Sequence, residues 1–184
     1  MRVVAVFHGD KQDTQPIMRS EIRANPPMTA LGMQHIFTKL LPKVRDLGPY
    51  HGPIYCSRMA RALDTASVLA LALDMDIESL KSAGQMGSKD AGGVVYYPGH
   101  EADKNVYDWR DQFELSLQRI GIYRDYIGPA LMVSHRPMIG SLIAHLQGIN
   151  DDEGIRSVVN DPRIVEDGYV VFDVSQVGTI KLVG

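Results

Sequence analysis

Cysteine is almost missing from this sequence: Cys56 is the only one in 184 residues. A single thiol excludes an internal disulfide framework and fits a reducing cytosol, where its expected role is that of a small buried side chain. Basic runs are absent as well. The 19 Lys and Arg against 22 Asp and Glu leave a formal charge of -3, which gives no electrostatic reason to expect nucleic acid or an anionic membrane as partner. No apolar stretch is long enough to span a bilayer, and Val3 to Val6, ahead of Phe7, is too short for a secretory leader. Repeats and low-complexity segments are also lacking. The expectation is therefore a cytoplasmic, soluble, single domain over residues 1–184, with 45% hydrophobic residues to build its core.

Apolar runs of strand length alternate with segments of helical period. That pattern predicts an α/β fold, a three-layer α/β/α arrangement around a mostly parallel central sheet. The first strand is Arg2 to Phe7. A polar loop over 13–27 closes with Pro26 and Pro27, and Thr29 then caps a helix carrying Leu31, Ile36 and Leu40, which Pro42 ends or kinks. A short strand over 53–56 leads into Ser57, read as another N-cap, and into a helix with Met59, Ala62, Leu63, Ala66, Leu69, Ala70 and Leu73 on its apolar face.

Residues 82–103 are rich in Gly and polar side chains without a clear period, and read as a long loop or small insertion of the kind that often borders active sites. Val106, Trp109, Phe113, Leu117, Ile120 and Ile127 then mark a long amphipathic helix. A second buried strand over 129–134 ends at His135. Pro137 follows in a first helical turn, with Met138, Ile139, Leu142, Ile143 and Leu146 turned inward. After a polar stretch over 150–167, residues 169–174 and 179–183 form a closing C-terminal hairpin around 176–178.

Three junctions carry polar residues in the same structural position: Phe7-His8-Gly9-Asp10, Cys56-Ser57-Arg58-Met59-Ala60-Arg61 and Val133-Ser134-His135-Arg136-Pro137. In a parallel sheet the carboxyl ends of the strands share one edge, and ligands bind there. Helix N-termini add unpaired N–H groups and partial positive charge, and Arg61, about one turn into its helix, offers a planar fork of donors. Two histidines, an arginine and helix N-termini describe a phosphate site. His35, His51, His100 and His145 read most simply as surface or rim residues, and Arg58 as a solvated one.

These segments resemble the histidine phosphatase superfamily, the phosphoglycerate mutase-like fold. The family's opening Arg-His-Gly with a following acidic residue is matched by His8-Gly9-Asp10. Its Pro-Leu-Thr-x-x-Gly is matched by Pro27-Met28-Thr29-Ala30-Leu31-Gly32, and its Ser-x-x-x-Arg-Ala-x-x-Thr-Ala by Ser57, Arg61, Ala62, Thr65 and Ala66. The closing strand and Ser-His appear as Val133-Ser134-His135. With its Ser-His-x-Pro ending and short length, the chain looks most like the small bacterial protein-phosphohistidine phosphatases.

The resemblance implies that His8 attacks a phosphoryl group and forms a phosphohistidine that water resolves, while Arg61 and His135 stabilise charge on its oxygens. It implies no metal and no cofactor. Gly9 and Ser57 would line the substrate pocket, and the partner would be a phosphorylated small molecule or a phosphoprotein. In one respect the chain departs from the family: Phe7 stands where the first arginine clamp belongs. Losing one such donor typically costs ~10² to 10³ in turnover. Lys11 and Arg136 are the neighbouring cations that could fill the vacancy, and Arg19 and Arg23 could touch a larger substrate from the rim. The segment after the second motif, Ser82-Ala83-Gly84-Gln85, holds no carboxylate to protonate a leaving group, although Glu101 and Asp103 follow in the long loop. Two functions remain open, a phosphatase with a remodelled site and a phospho-ligand binder without turnover.

Overall fold

The computed structural model describes residues 1–10, 26–80, 113–118, 120, 128–162, 164, 168–175, 177 and 179–183. Among these residues six strands form one sheet: β1 (Arg2–Phe7), β2 (Ile54–Ser57), β3 (Ile77–Leu80), β4 (Ala130–Ser134), β5 (Tyr169–Val174) and β6 (Ile180–Val183), in the order β3-β2-β4-β1-β5-β6. β1, β2, β3 and β4 pair in parallel, and the closing hairpin of β5 and β6 runs antiparallel. The pleat sends alternate side chains to opposite faces. Val3, Ala5, Phe7 and Met132 therefore pack with Phe113, Leu117, Met138 and Leu142, while Val4, Val6, Leu131 and Val133 pack with Ile36, Leu40, Ala62, Ala66 and Leu69. Helices cover both faces, as expected of three layers.

The helices are α1 (Ala30–His35), α2 (Leu41–Asp46), α3 (Ala60–Leu73), α4 (113–118), α5 (Arg136–Leu146) and α6 (Asp152–Val159). Thr29 caps α1 as expected, its hydroxyl accepting from Gly32 N at 2.9 Å. Pro42 does not end the helical segment. Ile36–Leu40 widens into a π-helical turn, and helix resumes at Leu41 with Pro42 in its first turn, where the missing N–H and the bulky ring do least harm. Leu31 is 56% exposed, because it lies about 140° around the helix from buried Ile36 at 3.6 residues per turn. Leu146, expected inward, is also exposed at the end of α5.

Two elements escaped the sequence reading. β3 is an edge strand, exposed over Ile77 to Ser79, so it carries no buried-strand signature. Within the supposedly polar stretch 150–167 lies α6, capped by Asp151, whose carboxylate accepts from Gly154 N at 2.8 Å. α6 packs Ile155 and Val159 beside α5, where a Cβ on Gly140 would stand 2.9 Å from Val159 Cα. The loop expected at 82–103, and Val106, Trp109 and Ile127 of the long helix, lie outside the described residues. Among the described residues no helix is long and apolar enough to cross a membrane.

Candidate active site

β4 lies between β1 and β2, so the carboxyl ends of three adjacent strands bring His8, Ser57 and His135 to one edge of the sheet. The main chain holds this edge together, His8 N donating to Ser134 O at 3.2 Å. The two imidazoles meet edge to face with ring centroids 5.0 Å apart. Arg61 reaches them from the first turn of α3. Its side chain is buried, at 1% exposure, and a buried guanidinium requires acceptors. One of these is His8, whose Nε2 accepts from Arg61 Nε at 3.0 Å.

That bond determines the state of His8. Arginine has donors only, so Nε2 must carry a lone pair. The other ring nitrogen, Nδ1, lies 2.7 Å from the Gly9 carbonyl oxygen, which can only accept, so the proton sits on Nδ1. His8 is thus a neutral imidazole whose Nε2 lone pair is held by a guanidinium.

His135 is fully buried, and its Nε2 lies 2.8 Å from Ser57 Oγ. Burial first, and then the charge of the Arg61 guanidinium, hold its pKa well below the usual histidine value. It is neutral at pH 7, and its Nδ1 has no hydrogen-bond partner among the described residues. Ser57 is not the N-cap expected from its position. β2 continues through Ser57 and α3 starts at Ala60, so the hydroxyl accepts from Met59 N at 3.2 Å instead and orients His135.

Of the remaining candidates, Gly9 turns its N–H inward to Thr65 Oγ1 at 2.9 Å. Arg136 is exposed at the start of α5 and makes no hydrogen bond or ion pair among the described residues. Lys11, Arg19, Arg23, His100, Glu101 and Asp103 lie outside the described residues. His51 and His145 are exposed, and His35 pairs with Asp10 at 3.4 Å on the surface. Cys56 is buried as expected, and burial pushes its thiol up to about 11, which leaves little thiolate at neutral pH.

Phe7, one residue before the nucleophile candidate, is 8% exposed and belongs to the apolar cluster of Ala5, Phe113 and Met138. Three residues outside the candidate set support the site. Thr65 holds the Gly9 amide, Asp64 accepts from Met28 N at 2.9 Å, and Thr29 N donates to Asp10 O at 2.8 Å. All except Asp64 lie in the motifs quoted above, so the signal was present without a role attached. Two surface clefts, of about 720 and 560 Å³, open elsewhere, at the amino ends of the strands beside Arg2 and Pro129 and beside Tyr50 and Asp76. Neither brings together groups of comparable chemistry.

No protein-family model and no curated protein matches the chain. Solved structures do. YhfR from Bacillus stearothermophilus shares 18% identity, with 98% of this chain and 94% of that one covered and a TM-score of 0.71. The alpha-ribazole phosphatase of Shigella flexneri shares 19%, covering 100% and 95%, with a TM-score of 0.61. The protein histidine phosphatase SixA, solved with tungstate, shares 15%, covering 100% and 95%, with a TM-score of 0.57. At these identities the likeness establishes the fold alone, which is phosphoglycerate mutase-like.

Proposed function

We propose that this chain, built on the phosphoglycerate mutase-like fold, holds a phosphoryl group between His8, Arg61 and His135 and hydrolyses a phosphohistidine or a small phosphate monoester. The observation that carries the reading is the state of His8: neutral, protonated on Nδ1, with Nε2 held 3.0 Å from Arg61 Nε. An incoming phosphoryl group takes over the donors of Arg61 and frees the Nε2 lone pair. Nε2 then attacks phosphorus, a P–N bond forms, and the bond to the leaving group breaks as that group takes a proton from water. Water attacks the phosphohistidine in turn, releasing phosphate and regenerating neutral His8.

Arg61 and neutral His135, both buried, stabilise charge on the transferring oxygens. In this reading Gly9 and Ser57 line the pocket, Lys11 and Arg136 supply charge at its rim, and neither metal nor cofactor takes part. The substrate is a phosphorylated small molecule or phosphoprotein, the location is cytoplasmic, and residues 1–184 act as one domain. A phosphohistidine is a good leaving group, so hydrolysis of it asks least of a general acid.

Phe7 favours a second reading, a phospho-ligand binder without turnover, because it puts an apolar ring where the resemblance calls for a guanidinium. The two part on one measurement. Purified protein is expected to hydrolyse p-nitrophenyl phosphate or a phosphohistidine peptide, and His8→Ala to lower that activity by at least ~10³, as loss of a covalent nucleophile does. Phosphopeptide binding by an inactive wild type would favour the binder, and activity unchanged in His8→Ala would sink the mechanism.

A further inference from the structure

His8, Gly9, Thr65 and Arg61 are joined in a closed circuit of hydrogen bonds. His8 Nδ1–H donates to Gly9 O at 2.7 Å. Gly9 N–H donates to Thr65 Oγ1 at 2.9 Å, and the Thr65 hydroxyl donates to Arg61 O at 2.8 Å. Arg61 Nε–H returns to His8 Nε2 at 3.0 Å. Thr65 is fully buried, one helical turn beyond Arg61, and touches neither imidazole through any of these bonds. Among the described residues its other polar neighbour is Met28 Sδ at 3.5 Å, a weak acceptor beside a backbone carbonyl. With the hydroxyl proton committed to Arg61 O, an oxygen lone pair is left for Gly9 N–H.

We infer that Thr65 is a positioning residue that holds His8 in the Nδ1–H tautomer by anchoring the backbone at Gly9. The need arises from glycine itself, whose backbone has the widest freedom of any residue. The Gly9 carbonyl that accepts from Nδ1 is kept in place from both sides. Thr65 ties the amide that precedes it, and Thr29 N–H ties the next carbonyl, that of Asp10, at 2.8 Å. Without the Thr65 hydroxyl, the Gly9 N–H is a buried donor without an acceptor, and the peptide rotates to find one. The carbonyl then leaves Nδ1, the tautomer is held by the Arg61 contact alone, and each time that contact opens the proton can move to Nε2, where it blocks attack on phosphorus. The tautomer follows from the circuit alone; only its catalytic consequence rests on the reading of His8 as phosphoryl acceptor.

The test is ¹⁵N NMR of the full chain with labelled histidine, in which two-bond couplings assign the tautomer of each ring. Wild-type His8 is expected as a single Nδ1–H form. Thr65→Val, which removes only the hydroxyl, is expected to populate the Nε2–H form and to slow phosphohistidine formation by roughly five- to tenfold, the effect of one neutral hydrogen bond. Thr65→Ser restores both. A wild-type Nε2–H form, or a Thr65→Val protein that keeps the single Nδ1–H form, overturns the inference. Should Thr65→Val not fold, exchange of the Gly9 amide in wild type decides: slow exchange supports the bond to a buried hydroxyl, and fast exchange refutes it. An inactive wild type with the tautomer intact would remove the phosphatase reading and leave Thr65 in its role.

Discussion

Phe7 and His8 are consecutive, yet they serve different environments. The pleat places Phe7 with Val3 and Ala5 against α4 and α5, while His8 meets Arg61 of α3 on the other side of the sheet. Position 7 is therefore held by packing. Phe7→Arg exchanges a buried ring for a charge and is expected to cost ~3 kcal/mol or more in denaturant unfolding, the range for emptying a phenyl site. Phe7→Leu, which preserves apolar contact, should cost less than ~1.5 kcal/mol. Turnover measured alongside separates the two functions. A gain of ~10² or more in Phe7→Arg would mark the missing donor as the limiting feature, whereas no gain would mean that Arg61 and the histidines work, or bind, without it.

The segment Pro27 to Gly32 is an element whose purpose is visible only in three dimensions. Thr29 both caps α1 and ties Asp10 O, and a Cβ on Gly32 would stand 2.7 and 2.8 Å from Asp10 N and O. Both atoms are backbone and cannot step aside cheaply. Gly32→Ala is thus expected to destabilise by ~1–3 kcal/mol, although alanine in an open helix would gain ~1 kcal/mol over glycine; thermal unfolding gives the sign. Strong patterns such as Val3 to Val6, Ala62 to Ala70 and Met138 to Ile143 made β1, α3 and α5 legible, because burial on one or both faces writes itself into the residue types. β3 was not legible because an edge strand with exposed Glu78 and Ser79 buries too little to show a pattern. α6 was missed because three apolar residues, Ile155, Val158 and Val159, in a short polar segment signal a helix only once the Asp151 cap is recognised. The three strand-end junctions were readable as one site from topology alone. The circuit through Thr65 was not, since a threonine in a helix has no preferred partner until the loop above it is placed.

At the scale of the whole molecule, burying His135 beside His8 and Arg61 couples stability to pH. In the folded chain its pKa lies well below the usual 6.5, chiefly through loss of solvation. In the unfolded chain it titrates near the usual value. As pH falls through about 6.5 the unfolded state binds a proton that the folded state refuses, so stability is full above that pH and declines below it until the folded pKa is reached. The slope contributed by this one group approaches about 1.4 kcal/mol per pH unit. Urea unfolding at a series of pH values between 7 and 5 should show it, and His135→Gln, whatever its absolute stability, should show a shallower dependence. The site makes the same experiment diagnostic of function. A phosphate ion bound at Arg61 would offset the positive charge that disfavours protonated His135, and it would stabilise the folded state by mass action. Inorganic phosphate is therefore expected to raise stability in wild type, most of all toward pH 5, and to do so much less in His135→Gln. An equal pH slope in the two proteins, or a phosphate effect independent of His135, would contradict this account of the buried imidazole.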